Sequence, residues 1–163
     1  KEMLGHAGIK PEIVSCGGTG TSFITGDHKD VTEIEAGSYL TMDSRYDKIE
    51  GVGDKFKKAL TLLTSVISIL DKNRVIIDAG MKAISKEFGL PKIKGNNRGQ
   101  LYKLSEEHGF IETQSKNDFS QGEKIELIPT HGCTTINLHD NFYGIREGRV
   151  EIVIPVNARG KIY

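Results

Sequence analysis

His131 and Cys133, two residues apart in the run Pro129 to Cys133, are the side chains of this sequence best suited to bind a metal. In a helix they would project about 200° apart around the axis, too far to share one ligand. On an extended strand they would face the same side and converge. Imidazole and thiolate suit a borderline divalent metal, zinc first. We therefore predict a metal pair on a strand, with the remaining coordination positions open as in catalytic zinc sites.

The same spacing also fits a simpler interpretation, in which a buried apolar cysteine lies beside an unrelated surface histidine. A His-x-Cys pair is a weak pattern when nothing else supports it. Other motifs in the sequence are therefore needed to choose between a metal pair and two unrelated side chains.

Two glycine-rich segments, each following a stretch that favours a strand, are candidates for phosphate binding. Ile13 to Ser15 leads into Gly17 to Thr21, and Val31 to Ala36 leads into Gly37-Ser38. Glycines let the backbone approach an anion, and the N–H groups are fixed donors. Glycine turns are common at strand ends, and the P-loop lysine is missing here. Two neighbouring strand ends are nevertheless the usual source of donors in phosphate-binding α/β barrels.

The predicted fold class is α+β and mostly β: the end of an α/β barrel over residues 1–48, then a larger, mainly antiparallel β domain over residues 49–163. The start, Lys1 to Lys10, has the pattern of the last turns of a helix, which we interpret as the mark of a fragment. A short helix is predicted for Thr134 to Asn141. The predicted strands of the β domain are Leu60 to Leu70, where a helix is also possible, Val75 to Asp78, Leu101 to Ser105, Gly109 to Thr113, Lys124 to Ile128, Phe142 to Arg146 and Arg149 to Val156. The last two are predicted to form a tight hairpin through Glu147-Gly148.

Charge and composition exclude several classes of partner. The 22 basic and 22 acidic residues balance, so we expect no nucleic-acid partner. No apolar stretch approaches the roughly 20 residues that a membrane span needs. Only two cysteines occur, far apart in sequence, which favours a reducing cytoplasm over a disulfide framework.

Five motifs in order resemble the C-terminal half of the D-threonine aldolase and eukaryotic-type D-serine dehydratase family. They are VSCGGTGT at 14–21, TEIEAGSY at 32–39, IDAGMKA at 77–83, SEEHG at 105–109 and PTHGCTTIN at 129–137. The resemblance runs over nearly the whole chain, and the series is more specific than any one motif. It implies a pyridoxal-phosphate enzyme of the alanine-racemase-like fold, acting on D-amino acids and forming a homodimer.

The resemblance also implies roles for individual residues. His131 and Cys133 match the catalytic metal pair beside the cofactor. Family dehydratases typically carry His-x-Cys with zinc, whereas many aldolases carry His-x-Asp with manganese-like ions. Cys133 therefore favours a D-serine dehydratase-like lyase, with D-threonine aldolase-type cleavage as the alternative. The residues that match the cofactor-phosphate turns are Gly18, Thr19, Gly37, Ser38 and Tyr39.

One departure from the family pattern concerns the cofactor-bearing lysine. In the family it lies on an early barrel strand, and none of the lysines here occupies a matching motif. We therefore expect this chain alone to be inactive. A non-catalytic metal-binding or interaction module built on the β portion is the remaining alternative, although it leaves the glycine turns unexplained.

Overall fold

The chain divides into two units in the computed structural model, which describes residues 1–71, 73–95, 97–115 and 118–161. The first unit comprises Lys1–Met42 and Tyr46–Ala59, and the second comprises Asp43–Arg45 and the chain from Leu60 onward. The assignment of residues 1–48 to a barrel end and 49–163 to a β domain stays a prediction.

The first unit is built from short elements around one pair of parallel strands. Ser15 lies opposite Glu33, and Cys16 opposite Ile34. Each strand has two residues, fewer than the sequence predicts, and each is followed by a turn of 3₁₀ helix. In order, its elements are α1 (Glu2–His6), β1 (Ser15–Cys16), a 3₁₀ turn (Thr19–Thr21), α2 (Ser22–Gly26), β2 (Glu33–Ile34) and 3₁₀ turns at Ser38–Leu40, Tyr46–Lys48 and Gly53–Lys55.

The second unit is a nearly closed six-stranded antiparallel barrel, so the prediction of a mostly β, antiparallel portion is confirmed. Its strands are β3 (Leu62–Ile69), β4 (Arg74–Ile77), β5 (Lys92–Ile93), β6 (Gly99–Leu104), β7 (Gly109–Thr113) and β8 (Lys124–Ile128). The strand order is β5-β8-β3-β4-β7-β6, and β5 and β6 lie near each other at the two ends of the sheet.

The barrel interior is filled by aliphatic side chains from alternate strand positions, as a sheet with one buried face requires. Val66, Ile77, Ile111 and Leu127 are each at most 1% exposed. Burial of each such side chain contributes about 1.5–3 kcal/mol. This core fixes the strand ends from which the loops of the candidate site emerge.

A short helix and a hairpin follow the barrel strands. The helix is α3 (Gly132–Ile136), and the hairpin joins β9 (Asn141–Arg146) to β10 (Arg149–Pro155). The predicted hairpin is confirmed, and its turn residues Glu147 and Gly148 have φ of 49° and 74°. Two successive left-handed residues match the right-handed twist of the flanking strands. Across the described segments, no helix is both long and apolar enough to span a bilayer.

Candidate functional site

The His-Gly-Cys segment does not lie on a strand, so that prediction is wrong. The ladder of β8 ends at Ile128, because Pro129 has no N–H to continue it. His131 keeps an extended backbone, with φ −141° and ψ 119°, but it is the residue that begins α3. Cys133 is already helical. The helix begins two residues before the predicted start at Thr134.

The imidazole of His131 is held by a carboxylate from a distant loop. Its Nδ1 lies 2.8 Å from Oε2 of Glu87, and the His131 side chain is 19% exposed. Because an ionised carboxylate only accepts, Nδ1 carries the proton and Nε2 is left to bind a ligand. The hydrogen bond from His131 lowers the pKa of the Glu87 carboxyl below its ordinary value, and the positive charge of Arg45 acts in the same direction.

The loop that carries Glu87 has an unusual backbone. Phe88 has φ of 64°, which costs a bulky residue about 1–3 kcal/mol, and Gly89 follows with φ of 118°. The Thr130 hydroxyl lies 2.7 Å from the Glu87 carbonyl and 3.0 Å from the Gly89 carbonyl, and can donate to either. This contact holds the strained turn against the segment that contains His131. As a result, the Phe88 ring lies 5.1 Å from the His131 ring.

A second segment, residues 43–45, packs against the same loop. The carboxylate of Asp43, which is 1% exposed, accepts from the amides of Gly132 at 3.1 Å and Arg45 at 3.0 Å. The Ser44 amide donates to the Pro129 carbonyl at 3.0 Å. These bonds position Arg45, whose guanidinium carbon lies 3.5 Å from the Phe88 ring centroid.

None of the residues that surround His131 is identifiable from the sequence as part of a site. Asp43 and Arg45 lie in an ordinary polar stretch, and Glu87 and Phe88 lie in a loop without a motif. The left-handed Phe88 carries no sequence signal, since the residue usually found in that conformation is glycine.

The imidazole of His131 and the thiol of Cys133 are donor types that suit a divalent metal with open coordination positions. One imidazole nitrogen of His131 is available, and the Cys133 thiol is exposed and not in a disulfide. Within the described part of the chain, no group of three or more His, Cys, Asp or Glu side chains is arranged to hold a metal. A closed structural site, which needs four protein ligands, is therefore not formed by these residues.

In the first unit, the two predicted phosphate turns lie side by side. Gly17 has φ of 76°, and a Cβ there would lie 2.7 Å from the Thr25 hydroxyl, so glycine is required. Gly18 and Gly37 each precede a 3₁₀ turn. The two turns are joined directly, because the Tyr39 amide donates to the buried Thr19 hydroxyl oxygen at 3.1 Å.

Backbone amides at the start of both turns remain available to an anion. The Gly18 amide is not among them, since it donates to the Thr21 hydroxyl at 3.2 Å. In the segments that the structure describes, acceptors are absent for the amides of Thr19, Gly20, Gly37 and Ser38. Such clustered donors fit a phosphate dianion.

An open cavity of about 510 Å³ adjoins the two joined turns. Thr19 and Tyr39 contribute to its wall, together with the rings of Phe23 and Phe56. The Tyr39 and Phe56 ring centroids are 5.7 Å apart. The first unit therefore combines anion donors with an adjacent aromatic wall.

Comparison with known proteins identifies the family. A family model described as "Putative serine dehydratase domain" matches residues 59–145, more than half of the chain. The chain belongs to the D-threonine aldolase and D-serine dehydratase family. The resemblance predicted from the five motifs is thereby confirmed.

Family members match over nearly the whole chain. The 3-hydroxy-D-aspartate aldolase of Paracoccus denitrificans is 38% identical over 165 residues, which cover 98% of this chain and 42% of that protein. The crystal structure of D-threonine aldolase from Filomicrobium marinum is 30% identical with a TM-score of 0.92, covering 99% of this chain and 45% of that one. This chain thus spans less than half the length of these relatives and has the fold of their C-terminal part.

A dehydratase of the family is also similar. The D-threo-3-hydroxyaspartate dehydratase of Delftia sp. HT23 is 25% identical with a TM-score of 0.80, covering 95% of this chain and 47% of that one. That enzyme has also been solved with a cysteine changed to alanine, in a metal-free form, and with a histidine two positions earlier changed to alanine.

Proposed function

We propose that this chain is the C-terminal portion of a pyridoxal-phosphate- and metal-dependent lyase that cleaves β-hydroxy D-amino acids between Cα and Cβ. The observation that carries this proposal is the 38% identity to an aldolase over 98% of the chain. The TM-score of 0.92 with a D-threonine aldolase supports it. The comparisons therefore favour the aldolase alternative over the D-serine dehydratase-like reaction that Cys133 suggests.

In this proposal His131 and Cys133 are the catalytic metal ligands. When bound, zinc or manganese supplies a Lewis acid for the substrate hydroxyl. Glu87 fixes the His131 ring with Nε2 available, and such partners of ligand histidines orient the ring and raise its basicity. The His-x-Cys spacing of the two positions altered in the Delftia dehydratase supports the same assignment here.

The joined turns of the first unit bind the cofactor phosphate in this proposal. Pyridoxal phosphate, when bound, supplies the electron sink for the carbon from which a bond is broken. The amides of Thr19, Gly37 and Ser38 donate to the phosphate, and the Tyr39 amide locks the second turn onto Thr19. Gly18 contributes by allowing the close approach of the backbone, since its own amide is engaged by Thr21.

A single substrate distinguishes the two reactions in the complete gene product supplied with pyridoxal phosphate and Mn²⁺ or Zn²⁺. Cleavage of 3-hydroxy-D-aspartate gives glycine and glyoxylate, whereas dehydration gives oxaloacetate and ammonia. We expect glyoxylate. Oxaloacetate without glyoxylate would establish the dehydratase instead.

The dehydratase stays the second candidate, because Cys133 provides a thiolate where many aldolases of the family carry aspartate. Pyruvate formed from D-serine, with no glycine from D-threonine, would support it. Failure of the complete protein to bind pyridoxal phosphate would leave only the non-catalytic metal-binding module. Homodimer formation and the inactivity of this chain alone stay predictions, tested by light scattering and by the same assays.

A further inference from the structure

The Arg45 guanidinium lies beside the Phe88 ring, which in turn lies beside the His131 ring. The Arg45 guanidinium stacks on one side of Phe88 at 3.5 Å, and the Phe88 ring lies 5.1 Å from the His131 ring. In the described part of the chain, Arg45 has no carboxylate within ion-pair distance. The nearby Glu87 carboxylate is instead bonded to Nδ1 of His131.

The position of Arg45 is fixed by its backbone. Its amide is bonded to Asp43, and the same Asp43 carboxylate accepts from Gly132, next to His131 in sequence. Stacking on Phe88 orients the guanidinium plane and leaves its N–H edge available for a planar oxyanion. The cation and the imidazole therefore form one pre-arranged surface.

We propose that Arg45 binds the side-chain carboxylate of an acidic substrate and so selects 3-hydroxy amino acids that carry a second carboxylate. This inference rests on the proposed function. The hydroxyl and the second carboxylate of such a substrate are attached to the same carbon. A hydroxyl at the His131 metal site therefore brings that carboxylate toward Arg45, and a guanidinium binds a carboxylate through two parallel hydrogen bonds.

The first test measures substrate preference in the complete gene product. Arg45→Gln lowers kcat/KM for 3-hydroxy-D-aspartate by about 10- to 100-fold, the effect of losing a charged hydrogen-bonded pair. It leaves kcat/KM for D-threonine within about twofold. Arg149→Gln, which changes an exposed arginine of β10, is the matched control and alters neither value. An equal loss on both substrates, or no loss on either, overturns the proposal.

The second test does not depend on turnover, so it separates failure of this inference from failure of the proposed function. The zinc-loaded chain is titrated with D-malate and with D-3-hydroxybutyrate, which lack the amino groups of the two substrates, while NMR follows the His131 and Phe88 rings. We expect malate to bind about 10-fold more tightly, and Arg45→Gln to abolish that preference. Equal binding of both acids by the unaltered chain, or an undiminished malate preference in the variant, overturns the assignment even if the complete enzyme is an aldolase.

Discussion

Nδ1 of His131 donates a hydrogen bond to the Glu87 carboxylate at 2.8 Å, across 44 residues of sequence. The contact selects one tautomer of the imidazole and leaves the lone pair of Nε2 available to a ligand. It also depends on the strained Phe88 turn, which Thr130 holds in place. His131 could be picked out as a candidate site residue from the sequence. Its orientation, however, is set by Glu87, Phe88 and Thr130, whose role no sequence motif indicates.

Glu87→Ala removes this orienting partner. We expect zinc affinity of the chain to fall about 10- to 100-fold, the usual effect of deleting a partner of a ligand histidine. Competition with a chromogenic chelator measures it. Glu50→Ala, which removes an exposed carboxylate from the other unit, should leave the affinity unchanged. Equal zinc affinities in all three proteins would show that Glu87 has no part in the site.

The metal assignment itself is tested by removing each ligand. His131→Ala and Cys133→Ser should each reduce the zinc content of the purified chain from one equivalent toward none, because two protein ligands cannot spare one. Cys16→Ser, which removes the other free thiol, is the control and should retain the full equivalent. Retention of zinc by Cys133→Ser would leave Cys133 as a cysteine without a metal role.

The hydrogen bond from the Tyr39 amide to the Thr19 hydroxyl, which joins the two predicted phosphate turns, predicts the effect of Thr19→Val. The substitution keeps the side-chain shape but leaves the Tyr39 amide without its acceptor, which costs about 1–3 kcal/mol of stability. Affinity for pyridoxal phosphate should fall as well, because Ser38 and Gly37 are no longer held in register. Urea unfolding and cofactor absorbance measure the two effects. Thr19→Ser retains the hydroxyl and should restore most of both.

The stability of the barrel depends on pH through the carboxyl group of Asp78. Burial raises the pKa of its carboxyl, but hydrogen bonds from the Ser65 amide at 2.8 Å and the Thr64 hydroxyl at 2.6 Å outweigh burial and lower the pKa below its ordinary value. The resulting stability is present above the unfolded pKa of about 3.9 and is lost as the pH falls through the folded value.

Asp78→Asn should therefore unfold at a lower urea concentration than the unaltered chain at pH 6. The difference should shrink as the pH falls from about 4 toward the lower pKa of the folded state, because the carboxyl of the unfolded chain is protonated first and that of the folded chain only afterwards. A difference that stays constant from pH 6 to pH 3 would show that the carboxylate charge makes no contribution.

The barrel strands could be predicted well because their patterns are local. The bounds of Gly109–Thr113 and Lys124–Ile128 match the prediction, since apolar residues alternate between turn residues. Lys92–Ile93 escaped prediction, because two residues are too few to show a period. Its strand exists only through pairing with β8.

The candidate site could be predicted only in part. The types of its residues indicated a metal pair and two anion turns, and these inferences need only composition and spacing. The backbone conformation at His131 could not be predicted, because it depends on a hydrogen bond from the Gly132 amide to Asp43, 89 residues away in sequence. Likewise, only the tertiary fold brings Arg45 and Phe88 beside the imidazole.

The buried Asp43 carboxylate has a consequence for the motions of the molecule. By accepting from both Arg45 and Gly132, it makes two remote segments open and close together. Amide hydrogen exchange should therefore report similar opening free energies for these two amides, and Asp43→Asn should increase both exchange rates at once. The segment that we propose to select substrate and the segment that we propose to bind metal would then form a single cooperative unit.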